Sequence, residues 1–337
     1  MTVLIIGAGL VGSQIARLEI ERGEKVVILD AFPREDALAD IFPVDKAKVV
    51  QGEILNPFDL SRAVGNEDID LIYETAAFPG LTLGGQMNPY SAIQLNVMGL
   101  VNTLEFARLR NVKKVLFTSS SVLCTYVHPA RDGDHLDKEY AYPRPSSIYS
   151  SSKLAGENFG LNYAETYGLD FAAVRFAAVF GPWRYGGGGG PTKLIRDILT
   201  KSIRGEPVSV ASADFEYVYS KDAARGAMLA ARSKRSDRIF NIGMGKVFPL
   251  KEIASFVKEI IPNASITITE RGQEKSDTKA KSAATGGGTG FKLMPDPDFT
   301  HPLNLERSTE QLGYKPMFPM RQALEDYVRC LEVMFKH

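Results

Sequence analysis

Apolar residues in the first half of this chain come in short unbroken runs, each followed by a stretch whose apolar positions recur at helical spacing. Thr2-Val3-Leu4-Ile5-Ile6 leads straight into Gly7-Ala8-Gly9-Leu10-Val11-Gly12, after which Ser13 to Leu18 follows a helical period. The run Lys25-Val26-Val27-Ile28-Leu29 closes on Asp30, and further runs lie at Lys48 to Glu53, Ile69 to Tyr73 and Lys114 to Phe117. Helices are expected from near Pro57, over 89–110 and over 148–167. This alternation predicts an α/β fold, a doubly wound parallel sheet of Rossmann type covered by helices on both faces. Ligands of such sheets bind beyond the carboxyl ends of the strands, where the hydroxyl run Thr118-Ser119-Ser120-Ser121 falls.

The pattern changes near residue 182. Helices are expected over 192–203, 221–232 and 250–260, with extended segments at Pro207-Val208-Ser209-Val210 and Ile239-Phe240-Asn241, and helix returns over 308–313 and 320–335. Residues 1–181 read as a dinucleotide-binding unit. Residues 182–337 read as a mainly substrate-binding α/β region, some of whose segments return to the main sheet. The stretch 271–289, rich in Lys, Ser, Thr and Gly, has too little apolar content to bury a core and is expected to stay loose until substrate or a partner orders it. Five consecutive glycines at 186–190 fix no conformation; they read as a flap over the pocket or as a surface loop.

Composition narrows the field. The 337 residues carry 40 basic and 40 acidic side chains, which gives no electrostatic reason to expect nucleic acid or a membrane as partner. No apolar run approaches the roughly 18 residues needed to span a bilayer, and the first residues lack the pattern of a secretion signal. Cys124 and Cys330 are too few and too scattered for a disulfide framework or a structural zinc site. A cytoplasmic protein that binds a small molecule is expected.

The candidate chemistry starts at the glycines. A strand, a G-x-G-x-x-G turn and a helix suit a dinucleotide, and Asp30, about 20 residues on, is placed to take the adenosine ribose hydroxyls. An acid there repels a 2′-phosphate, which favours NAD over NADP; Arg34, close by, keeps NADP open. Tyr149 and Lys153, at i and i+4, meet on one helix face. A phenol titrates at roughly 10 in water, and a neighbouring ammonium brings it towards use as a general acid or base.

The glycine turn, the Ser119-Ser120-Ser121 strand end, Tyr149 with Lys153, and Val174-Arg175-Phe176-Ala177-Ala178-Val179-Phe180-Gly181-Pro182 together resemble the extended short-chain dehydrogenase/reductases, the branch of NAD-dependent epimerases and dehydratases. Lys221-Asp222-Ala223-Ala224, Phe240-Asn241-Ile242-Gly243 and Leu312-Gly313-Tyr314-Lys315-Pro316 extend the resemblance over nearly the whole chain. It implies that Tyr149 is the general acid/base, that Lys153 lowers the phenol's pKa and holds the nicotinamide ribose, and that Ser120 binds the same substrate oxygen, with Ser119 and Ser121 as rivals. It implies a dinucleotide site of Gly7, Gly9, Leu10, Val11, Gly12, Asp30, Glu53, Ile54, Ala76, Ala77, Asn96, Thr118, Ser119, Tyr149, Lys153, Phe176 and Val179. Asn96 reads equally as a satisfied structural residue. A homodimer seam is implied along the helices over 89–110 and 148–167, with Leu95, Met98, Val101 and Leu104 available to it or to the monomer core.

Departures from the family pattern narrow the substrate. Ile5-Ile6 stands in place of a Thr-Gly pair, and Glu74 stands where the family typically has His before its Ala-Ala pair. Ser121-Val122 replaces the Asp-Glu pair of 4,6-dehydratases, so that chemistry is not expected. Phe215 stands where nucleotide-sugar enzymes tend to carry an Arg for the diphosphate. Ser121, Cys124, Arg184 and Phe215 are the candidate substrate contacts; His128 and His135 could also reach substrate. The expected function is reversible hydride transfer at a secondary carbinol of a sugar or sugar-like compound, as an epimerase or a dehydrogenase. The alternative is a dehydrogenase of a small non-nucleotide polyol, sugar acid or hydroxy compound, and a protein that senses NAD(H) without turnover ranks last.

Overall fold

A computed structural model describes residues 1–124, 145, 147–234, 237–269 and 301–335. Its strands are β1 (Thr2–Ile6), β2 (Lys25–Asp30), β3 (Ala47–Gln51), β4 (Leu71–Glu74), β5 (Lys114–Ser120), β6 (Asp170–Phe176), β7 (Ala178–Phe180), β8 (Val208–Ala211), β9 (Phe215–Tyr219), β10 (Ile239–Ile242), β11 (Val247–Phe248) and β12 (Ile266–Thr269). Seven of them form one sheet in the order β10-β6-β5-β4-β1-β2-β3, with every neighbouring pair parallel. The order reverses between β1 and β4, the place where a doubly wound sheet opens its ligand crevice.

The unbroken apolar runs are explained by two cores. Val3, Ile5, Val26, Ile28, Leu71 and Tyr73 face one side, against Ile15 and Ala16 of the helix Gly12–Glu21 and the alanines of the helix Ser220–Arg232. Leu4, Ile6, Val27, Leu29 and Ile72 face the other, against the helices Pro57–Val64, Gly99–Leu109 and Ile148–Tyr167. Strands buried on both faces need no polar alternation. β10, which follows the second region's first helices, pairs with β6 at the edge of the main sheet.

A third core joins β7 and β9 to the helices Gly190–Ile203, Leu250–Ile260 and Met320–Met334. β9 lies between β7 and β11, while β12 pairs in parallel with β8. Several features differ from the sequence reading, among them a short helix, Glu35–Ala39, between β2 and β3. The helix expected over 89–110 consists of Pro89–Ile93, a wide π turn over Gln94–Met98, and Gly99–Leu109. A short helix, Leu81–Met87, precedes it where none was expected, and β12 was likewise unforeseen. His128, His135 and the stretch 271–289 lie outside the described residues.

Candidate active site

The glycine turn is built by sterics. Gly7 has a φ of 88°, and a side-chain carbon there would come within 2.8 Å of the Ala76 backbone nitrogen; glycine alone meets both conditions without strain. Thr75 binds the turn to the end of β4 by donating its hydroxyl to the carbonyls of Ile6 and Gly7. Asp30, at the end of β2, accepts the Ala8 N–H on one carboxylate oxygen and the Phe32 N–H on the other, both at 2.8 Å. It thereby positions the turn itself as well as lying beside it.

This turn fits a dinucleotide. A side-chain carbon added at Gly9 would meet no protein atom within 4 Å, so the turn faces open space there. Leu10 is buried and Val11 half-buried at the start of the helix Gly12–Glu21, whose first turn carries no acidic residue. A helix start without acids holds its N–H groups and positive dipole end ready for phosphate. Ala76 and Ala77 lie half-buried beyond β4; Ile54 is buried beyond β3, with Glu53 exposed beside it. Phe176 ends β6, buried, and Val179 is half-buried in β7. Asn96 sits buried in the π turn, where its amide oxygen accepts the Phe78 N–H at 2.8 Å. π turns recur at functional sites because the extra residue re-aims the side chains around it.

The helix Ile148–Tyr167 sets the reactive side chains. Ser147 and Ser150 cap its start reciprocally, each hydroxyl accepting the other's backbone N–H, at 3.1 and 3.0 Å. Gln86 of the unforeseen short helix accepts the Ile148 N–H at 2.9 Å. Gly156 lets the helix lie directly on β5: a side-chain carbon there would come within 2.6 Å of the Phe117 ring. Lys153 is thus held over that ring, 4.5 Å from its centre, with its ammonium donating to the Thr118 carbonyl at 2.7 Å. Burial pushes the ammonium below its usual range, while the charges of Glu74 and Glu157 pull it back up.

Tyr149 is buried one turn earlier, its ring centre 5.8 Å from the Lys153 nitrogen. Burial pushes the phenol up to about 12; a hydrogen bond with Ser120 pulls it down, and the charge of Glu74 pushes it further up. In this arrangement the downward pull comes from Ser120, because the ammonium is turned to Thr118.

The serines are separated by what already binds them. Ser119 donates to Glu157 at 2.6 Å, and Arg175 binds the same carboxylate from β6 at 2.8 and 2.6 Å. Ser121 lies half-buried in a 3₁₀ turn over Ser121–Cys124. Ser120 is the serine whose hydroxyl acts on the Tyr149 phenol, drawing it down. Glu74 is a member of the site that sequence reasoning left without a role. It is buried, with one carboxylate oxygen lacking any partner among the described residues, and burial raises it to about 7 against the pull of the Lys153 charge.

The candidate substrate residues are more scattered. Arg184 grips Asp40, the C-cap of the short helix Glu35–Ala39 after β2, at 2.9 and 2.8 Å, and reaches the Met334 carbonyl at 3.4 Å. Tyr185 donates to Asp36 and lies under the Arg34 guanidinium, 4.7 Å from the ring centre. The glycine run follows at once, and a side-chain carbon added at Gly187 would touch Leu10 of the phosphate turn at 4.0 Å. Phe215 lies half-buried on β9, its ring edge-on to Tyr217 at 6.1 Å. The side chain of Cys124 lies outside the described residues.

A doubly wound parallel sheet, a glycine turn that fits a dinucleotide and Tyr149 and Lys153 buried beside Ser120 at the strand ends are the features of a nicotinamide-dependent short-chain oxidoreductase. Residues 3–243 match the NAD dependent epimerase/dehydratase family, and the chain belongs to it. It is therefore an NAD-dependent enzyme of the extended short-chain type. Among curated relatives, UDP-glucuronate 4-epimerase 5 of Arabidopsis thaliana is 26% identical, over 98% of this chain and 75% of that protein. The crystal structure of UDP-glucose 4-epimerase with UDP-glucose from Thermotoga maritima superposes with a TM-score of 0.77 at 21% identity, covering 99% of this chain and all of that one. A partial consensus L-threonine 3-dehydrogenase superposes equally well, at 0.78 and 23% identity, with 99% and 100% covered.

Proposed function

We propose that this enzyme carries out reversible hydride transfer at a secondary carbinol of a sugar or sugar-like substrate. The observation that carries this reading is the burial of Tyr149 and Lys153 one turn apart on the helix Ile148–Tyr167, at the strand end that bears Ser120. Bound NAD supplies the hydride acceptor. Tyr149 takes the hydroxyl proton and later returns it; Ser120 orients the substrate oxygen and stabilises the phenolate. Lys153, locked by Thr118, presents its positive charge on the same helix face. Asp30 and the Gly7–Gly12 turn hold the adenosine end and the diphosphate.

Relatives named as UDP-sugar epimerases support a sugar nucleotide that is oxidised and re-reduced in place. Phe215, which supplies an aromatic face where a diphosphate needs a cation, supports the second reading: a dehydrogenase of a small polyol, sugar acid or hydroxy compound. A panel of nucleotide sugars, free sugars, sugar acids and polyols, incubated with excess NAD, separates the two. A stereoisomer formed without net NADH identifies an epimerase. Stoichiometric NADH identifies a dehydrogenase and its substrate class, and no reaction with any sugar or hydroxy compound rejects both.

A homodimer in a reducing cytoplasm completes the reading. Met87, Tyr90, Ile93 and Met98 stand exposed along 81–98, and Phe159 on the neighbouring helix Ile148–Tyr167, an apolar face suited to a second copy. Sedimentation of the wild type and of Met98→Glu tests it: a dimer that the substitution dissociates supports this face, and a monomeric wild type rejects it.

A further inference from the structure

Glu74 ends β4 between Ile6 of β1 and Phe117 of β5, on the sheet face that carries the helix Ile148–Tyr167. Its residue is 2% exposed. The Ala76 N–H helps to hold the carboxyl down, while Oε2 has no partner among the described residues. Among those residues, the titratable side chains turned to it are Lys153 and Tyr149 of the helix. β1 and β5 bring apolar side chains, the π turn brings Asn96 with its oxygen already on Phe78, and Glu157 is bound by Ser119 and Arg175. A buried carboxylate with an unused acceptor is costly unless a cation faces it. Lys153 does so without forming a direct ion pair, its ammonium being held by Thr118.

We propose that Glu74 is a positioning residue for the reaction, holding Lys153 at the strand ends and setting how readily Tyr149 gives up its proton. This rests on the reading of Tyr149 and Lys153 as the reacting pair. When Glu74 is charged, its field favours the protonated phenol and keeps Lys153 charged. When it takes up a proton, that field is gone and the phenolate is favoured. The carboxyl changes state near pH 7, so the couple has two settings within the working range of an enzyme.

Two measurements test this. In Glu74→Gln, which mimics the protonated carboxyl at every pH, activity is expected to stay near the wild type's below pH 7 and to exceed it by about threefold at pH 8, where the wild-type carboxylate is charged, the Tyr149 limb of the kcat/KM profile moving to lower pH. Difference infrared titration of the cofactor-free wild type should show a carboxyl band lost as pH rises through about 7. In Lys153→Met that band should persist to higher pH, since the opposing charge is gone. A Glu74→Gln profile like the wild type's, or a band that titrates unchanged in Lys153→Met, overturns the proposal. Should Glu74→Gln fail to fold, the infrared comparison still decides it. Wild-type turnover by Tyr149→Phe would instead reject the reacting pair, whatever the infrared result.

Discussion

Lys153 gives its ammonium to the carbonyl of Thr118, at 2.7 Å, and that bond ties the reactive helix to the end of β5. The first expectation follows from it. Lys153→Met should lower turnover by about 10²–10⁴-fold, the range for loss of acid–base assistance. The unpaired carbonyl costs on the order of 1–3 kcal/mol, offset by removal of a buried charge, so the urea midpoint should move little. Wild-type turnover in a folded variant would remove Lys153 from the mechanism.

Ser120→Ala tests the phenol's partner. The Ser120 hydrogen bond is what pulls the buried phenol down, so its loss should shift the Tyr149 limb of the pH profile to higher pH and cost about 10–100-fold at neutral pH. Ser119→Ala should leave the limb in place, because that hydroxyl is bound to Glu157. The two pH–rate profiles, measured side by side, distinguish the serines.

Asp30→Ala removes the acceptor for both Ala8 and Phe32 N–H groups. NAD affinity should fall by about tenfold, equivalent to ~1.4 kcal/mol, and discrimination against NADP should relax with the negative charge gone. Calorimetric titration with each cofactor reads both effects; unchanged affinities would mean that the turn holds its shape without the acid.

Stability should carry the mark of Glu74. Its carboxyl titrates near 7 in the fold against an ordinary 4.5, so between those values the folded state binds the proton that the unfolded chain has released. Folding stability from this group is full below the unfolded value and is lost as pH rises through the folded one. Urea melts from pH 4.5 to 7.5 should show wild type losing stability relative to Glu74→Gln as pH rises. A constant difference between the two would indicate an ordinary carboxylate.

Six of the seven strands of the main sheet were legible, most of them because strands buried on both faces leave continuous apolar runs, and the glycine turn because its backbone demands glycine; β6 showed only through the family motif that overlaps its end. The placement of Tyr149 and Lys153 was likewise a local matter of spacing. The π turn was not, since one inserted residue leaves no compositional trace. Leu95, Met98, Val101 and Leu104, read as one seam, accordingly have different surroundings: Leu104 is fully buried, whereas Met98 is 48% exposed. The choice among the serines was hidden because Glu157 and Arg175, which decide it, are distant in sequence and meet Ser119 only once β5 and β6 pair. Glu74 stood out as an oddity, but its facing of Lys153 depends on a helix closing over the strand.

Arg184 and Tyr185 follow β7, whereas Asp36 and Asp40, which they hold, follow β2. A chimera joined just after Gly181, with each part taken from a different relative, would inherit half of this clasp. It would carry either two carboxylates without their cation and phenol or a part-buried guanidinium without its acceptor. The short helix after β2 therefore behaves, for recombination, as property of the second region, and exchange of cofactor halves among relatives has to move both sets of residues together.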